Sequence, residues 1–76
     1  MIRSRLEIGR EVEALSEGPE GVELRGRIRL HPGRAVDLIT RGAAATPVVR
    51  RALVVSWSVV SLGSGGPMYR GSCRWE

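Results

Sequence analysis

Between Val22 and Leu30 the chain alternates without interruption: Val22, Leu24, Gly26, Ile28 and Leu30 on one parity, Glu23, Arg25, Arg27 and Arg29 on the other. A period of two over this length describes a β-strand with one face packed and one face in water. The start of the chain has the same pattern, with Ile2, Leu6 and Ile8 set against Arg3, Arg5 and Glu7, and with Val12 and Ala14 set against Glu11 and Glu13. Residues 2 to 14 therefore read as one long strand or two short ones, with Gly9 the bulge or bend. No window holds the 3.6-residue period of an amphipathic helix for more than a turn or two.

Turn residues divide the remainder. Ser16-Glu17-Gly18-Pro19-Glu20-Gly21 is a polar connection suited to a hairpin, and His31-Pro32-Gly33 has the Pro-Gly order of a type II turn. Ala35 to Thr40 makes a short strand, and Arg41 to Pro47 a loop tip of small residues. Val48 to Leu62 is rich in valine and apolar on both parities, which predicts the central strand. Gly63 to Pro67 turns the chain into a last strand, Met68 to Glu76, where Tyr69, Gly71, Cys73 and Trp75 share the inward parity. The expected fold class is all-β. Five or six short antiparallel strands would form one domain over residues 1–76, curled into a small barrel that removes open edges. Trp57 and Trp75 are expected in the core, with Ser56, Ser58 and Gly71 leaving room for a ring to lie across the sheet.

A chain of 76 residues leaves no space for a second domain. Its one cysteine, Cys73, cannot close an internal disulfide, and with the lone His31 it cannot complete a four-ligand zinc site. No metal and no resident cofactor are expected. No apolar run approaches the roughly 20 residues of a membrane-spanning helix, and Met1-Ile2-Arg3-Ser4-Arg5 lacks a signal-peptide core, so a cytoplasmic protein without membrane association is expected. Catalysis is not expected either. His31 sits against a Pro-Gly turn, Cys73 has inward parity and no adjacent base, and the glycine run at 63 to 66 lacks a phosphate loop's lysine.

The net charge is +4, and every basic residue is arginine. Residues 1–30 hold six Arg and six Glu, and an antiparallel hairpin about Ser16–Gly21 would set Glu11 and Glu13 opposite Arg27 and Arg25. The whole excess therefore falls in residues 31–76. There Arg34, Arg50 and Arg51 form the candidate anion- or partner-facing patch. Neighbouring strand residues face opposite ways, so Arg50 and Arg51 need a bulge or a place beyond the barrel's rim.

The order of Glu13-Ala14-Leu15-Ser16-Glu17-Gly18, Gly21-Val22-Glu23-Leu24, Leu30-His31-Pro32-Gly33-Arg34-Ala35-Val36-Asp37-Leu38 and Met68-Tyr69-Arg70-Gly71-Ser72-Cys73-Arg74-Trp75-Glu76 resembles the PilZ domain family after about residue 10. The resemblance implies a small β-barrel in bacterial signalling and, in many members, binding of cyclic di-GMP. That ligand is held in the family by an R-x-x-x-R segment before the barrel and by [D/N]-x-S-x-x-G. Here Arg3, Arg5 and Arg10 precede the barrel at other spacings, Ala14 stands at the Asp/Asn position, Ser16 is kept, and Gly21 falls two residues late. These five positions, Arg3, Arg5, Arg10, Ser16 and Gly21, are the candidate ligand-binding residues. With the motifs so altered, the expectation is weak or no cyclic di-GMP binding and action through a protein partner or a homo-oligomer. A competent cyclic di-GMP receptor and a small nucleic-acid-binding barrel are the alternatives. The inward parity of Trp57, Tyr69 and Trp75 argues against nucleic acid, which needs exposed stacking platforms.

Overall fold

The computed structural model describes residues 4–41 and 46–76. They form six strands and no helix: β1 (Ser4–Glu7), β2 (Val12–Glu17), β3 (Gly21–Gly26), β4 (Ala35–Arg41), β5 (Pro47–Gly63) and β6 (Gly66–Trp75). One sheet contains them all, in the order β1-β4-β5-β6-β3-β2. It curls into a half-barrel whose two edge strands meet at a single bridge between Ile8 and Val12. The all-β barrel-like fold expected from the alternation is what forms, with one correction: β1 runs parallel to β4, so the sheet is mixed.

The chain turns at Gly9, whose φ is +98° and whose N–H donates to the Val12 carbonyl at 2.7 Å, and leaves the turn in the direction it entered, so that Ile8 and Val12 bridge in parallel. The Glu11 carboxylate accepts the Glu7 N–H at 2.7 Å across the same turn. That bond, followed by its own backbone N–H, holds the Glu11 carboxyl below its ordinary range. Of the expected segment 2 to 14, the described part is thus two strands, β1 and β2, on opposite edges of the sheet.

The hairpin about residues 18–20 forms in the expected register, with Glu13 opposite Arg25 and an ion pair of 2.7 Å between them. The expected Glu11–Arg27 pair does not form. Arg27 lies past the end of β3 and its Nη1 donates to the carbonyls of Gly65 and Gly66, at 3.0 and 3.1 Å, in the β5–β6 turn. The strand expected to run to Leu30 stops at Gly26, and Ile28 is 37% exposed. Ala14 keeps the expected inward parity, opposite Leu24 in the ladder, but is exposed on its edge strand; the bulge between Ala14 and Ser16 breaks the alternation only after it.

Leu6, Val12, Val22, Leu24, Leu30, Val36, Leu38, Ala52, Val54 and Cys73 form one buried core. Trp57 and Trp75 pack against it half-buried rather than inside it. Each indole N–H is consumed by a loop carbonyl, Trp57 Nε1 donating to Ile28 and Trp75 Nε1 to Gly18, both at 3.0 Å. The expected space for a ring is at Gly71, opposite Trp57 in the ladder. At His31–Gly33 the expected turn forms, with φ of +88° at Gly33 and the Arg34 N–H donating to the His31 carbonyl at 3.1 Å.

β5 is central as expected, and it bends. Its 17 residues would span about 55 Å if straight, yet the longest axis of the molecule is 35 Å. Two register shifts, between Val54 and Ser56 and between Val59 and Ser61, absorb the difference. They also account for apolar residues on both parities. The expected loop tip is narrower than residues 41–47, since Arg41 and Pro47 are already ladder partners; residues 42–45 lie outside those described.

Candidate functional site

The candidate ligand residues are dispersed. Arg3 lies outside the described residues. Arg5 is exposed on β1, opposite Asp37 in the ladder. Arg10 belongs to the β1–β2 turn and lines a cleft of about 590 Å³ with Arg25, Arg27, Ile28 and Met68. Ser16 and Gly21 come together in another cleft, about 350 Å³, whose charged members are Glu20, Glu23 and Arg74. Arg10 and Ser16 therefore line different clefts.

Neither cleft presents a set of guanidinium groups to an anion. In the larger one Arg25 is held by Glu13 and Arg27 by two carbonyls. Beside the smaller one Arg70 is drawn onto Glu23 by an ion pair. Gly21 has a packing reason to be glycine, since a Cβ there would lie 2.1 Å from the Cys73 carbonyl oxygen.

The arginines of the later half are also split. Arg50 is the ladder partner of Leu38 and so has the core-facing parity, but it sits at the end of the barrel, beyond the packed interior. There its guanidinium lies 3.7 Å from the centre of the Trp75 ring and 3.9 Å from a Glu17 carboxylate oxygen. Such stacking on an indole is worth about 0.5–1 kcal/mol at an exposed site. Arg51 faces the other way, opposite Asp37. Because Arg5 is the partner of Asp37 on its far side, an acidic residue sits between two arginines in one row. Arg34 is exposed in the turn before β4. The expected rim position of Arg50 is found, but Arg50 and Arg51 do not make one patch. The Arg50–Trp75 stack, with its partners 25 positions apart in sequence, follows from the pairing of β5 with β6 and has no local signature.

What the sheet presents instead is an apolar stretch of β5. Val55, Val59, Val60 and Leu62 are 53%, 49%, 54% and 82% exposed. Trp57 and Tyr69 stack beside them with ring centres 6.3 Å apart. On the other face of the sheet from Trp57, Ser56 and Ser72 share a hydroxyl hydrogen bond of 3.1 Å. No family model, curated protein or solved structure matches this chain. The site must therefore be read from its own geometry. The sequence signal for it is the absence of any charged residue between Arg51 and Arg70, overlooked because a valine-rich central strand is expected to be covered on both faces.

Cys73 is buried in the core, and burial pushes its thiol up to about 11. It is protonated at neutral pH and so a poor nucleophile. Reaction with a thiol reagent at pH 8 is expected to be slow in the native protein and fast in denaturant. Rapid native labelling would contradict the burial. The sign for stability follows: a thiol whose folded value exceeds its unfolded one keeps its proton longer when folded, so stability falls as pH rises from about 9 through 11. Among the described residues no group of three His, Cys, Asp or Glu is placed to hold a metal ion, and no helix is long and apolar enough to cross a membrane.

Proposed function

We propose that the chain is a PilZ-like, non-enzymatic interaction module of bacterial cytoplasmic signalling, which works through protein contacts and holds cyclic di-GMP weakly or not at all. The exposed apolar stretch of β5 carries this reading. The largest apolar patch on a protein surface is often the place where something binds. The order of the segments resembling PilZ supports the family. The separation of Arg10 from Ser16 into different clefts supports the loss of the nucleotide site, because phosphate recognition needs several donors converging on one anion.

Titration calorimetry with cyclic di-GMP is expected to give no binding heat at micromolar concentrations. Micromolar or tighter affinity, lost on Ser16→Ala or Arg10→Ala, would restore the competent receptor. Nucleic acid finds little support: both indoles are turned to loop carbonyls, and the ring of Trp75 is already covered by Arg50.

A further inference from the structure

β5 outruns the ladder beside it. β4 pairs with it from Pro47 to Leu53, and the turn before β4 adds Val54, whose N–H donates to the Arg34 carbonyl and whose carbonyl accepts from Gly33. β6 follows its other side as far as Gly63. From Val55 to Leu62 the outer side of β5 has no strand next to it among the described residues.

An open strand edge recruits another strand unless charge, proline or a covering segment prevents it. The sheet's other edges are defended: β1 carries Arg5 and Glu7, β2 carries Glu13 and Glu17, and the two meet at the Ile8–Val12 bridge. The outer length of β5 has neither charge nor proline, and its two register shifts, between Val54 and Ser56 and between Val59 and Ser61, leave Ser56 to Val59 as a regular run open to pairing. Residues 52–69 are 18 consecutive uncharged positions, with proline only at Pro67 on β6.

We infer that this edge is covered by the same edge of a second copy of the chain, antiparallel about a two-fold axis near Ser58 and Val59, so that two half-barrels share one continuous sheet. The inference rests on the interaction-module reading and specifies its partner. In a two-fold pairing residues near the axis meet their own kind, so a charged edge would set like against like whereas this one sets Val and Ser against Val and Ser. A partner with a charged edge would find no complementary charge here. The area is that of a small interface. The four exposed residues offer on the order of 400 Å², which doubled by symmetry is about 800 Å², below the ~1,000 Å² of a typical specific interface, and the main-chain hydrogen bonds of the shared ladder supply the remaining affinity.

The test is sedimentation equilibrium of the full chain, with Val60→Lys, Val60→Glu and their equimolar mixture. Val60 is exposed near the middle of the edge, so circular dichroism is expected to be unchanged in both variants. The wild type is expected to sediment at twice its 8.3 kDa mass, each variant alone as a monomer with a dissociation constant raised at least about tenfold, and the mixture as a dimer again. A wild-type monomer at hundreds of micromolar, an open-ended assembly, or a dimer indifferent to both substitutions would overturn the inference. Calorimetry with cyclic di-GMP on the same samples separates the two failures. A monomer that does not bind the nucleotide removes only this pairing, whereas a monomer that binds it removes the interaction-module reading as well.

Discussion

Gly71→Ala is expected to leave little folded protein. A Cβ at this position would lie 1.8 Å from the Ser56 carbonyl oxygen and 2.7 Å from the Trp57 ring. The first of these atoms is backbone, so no rotamer relieves the contact and β5 must part from β6 locally. The two strands form the centre of the sheet, and the shift would displace Trp57 from the Ile28 carbonyl it bonds. A loss above about 4 kcal/mol is the expected size, at the extreme of single substitutions. A domain of 76 residues has roughly 4–11 kcal/mol in total. Urea unfolding followed by tryptophan fluorescence measures it. Gly18→Ala is the control: nothing lies within 4 Å of a Cβ there, and a change within about 0.5 kcal/mol is expected. Equal stabilities for the two variants would mean that the close approach at Gly71 is wrong.

Leu24→Ala is expected to cost about 3–5 kcal/mol, the upper part of the range for buried leucine. Leu24 is fully buried, and its ladder partners are Ala14 on β2 and Gly71 on β6. Neither neighbour has a side chain long enough to close the cavity left behind, and relaxation into the cavity is what makes such substitutions mild elsewhere. Leu24→Met, which keeps the volume, is expected to cost less than about 1.5 kcal/mol. A drop of under 1 kcal/mol for the alanine variant would show that the barrel collapses around the site, and the core would then be less tightly specified than its burial indicates.

These two positions differ in how readable they are. Leu24 is marked as core by alternation alone, since its neighbours Glu23 and Arg25 must face water. Gly71 is marked only as a space in a strand of inward parity, and that the space belongs to Trp57 depends on the register of β5 with β6. The same divide separates the ion pairs. Glu13 and Arg25 are joined by a short hairpin, so the turn length sets their register. Arg27 lies just past the strand end, where local pattern has no hold, and a turn 38 residues away takes its guanidinium instead.

The candidate site was less legible than the fold. Ser16 and Gly21 are near each other because one hairpin joins them, and the sheet puts both in one cleft. Arg10 shares no such local link, and the turn at Gly9 places it in another. Arg50 and Arg51 could be assigned opposite faces from their adjacency, but not a tryptophan and an aspartate as neighbours.

Taken by itself, the sequence determined the strands, most of their inward faces and three of the turns, because alternation, proline and positive-φ glycine act over two to six residues and need no distant partner. Tertiary structure decided the parallel pairing of β1 with β4, the sealing of the two edges at Ile8 and Val12, and the exposure of β5 beyond Val54. Those depend on which strand ends first along a shared ladder. A strand's length can be read locally; the length of its neighbour's cover cannot, and on β5 that difference leaves the apolar edge open.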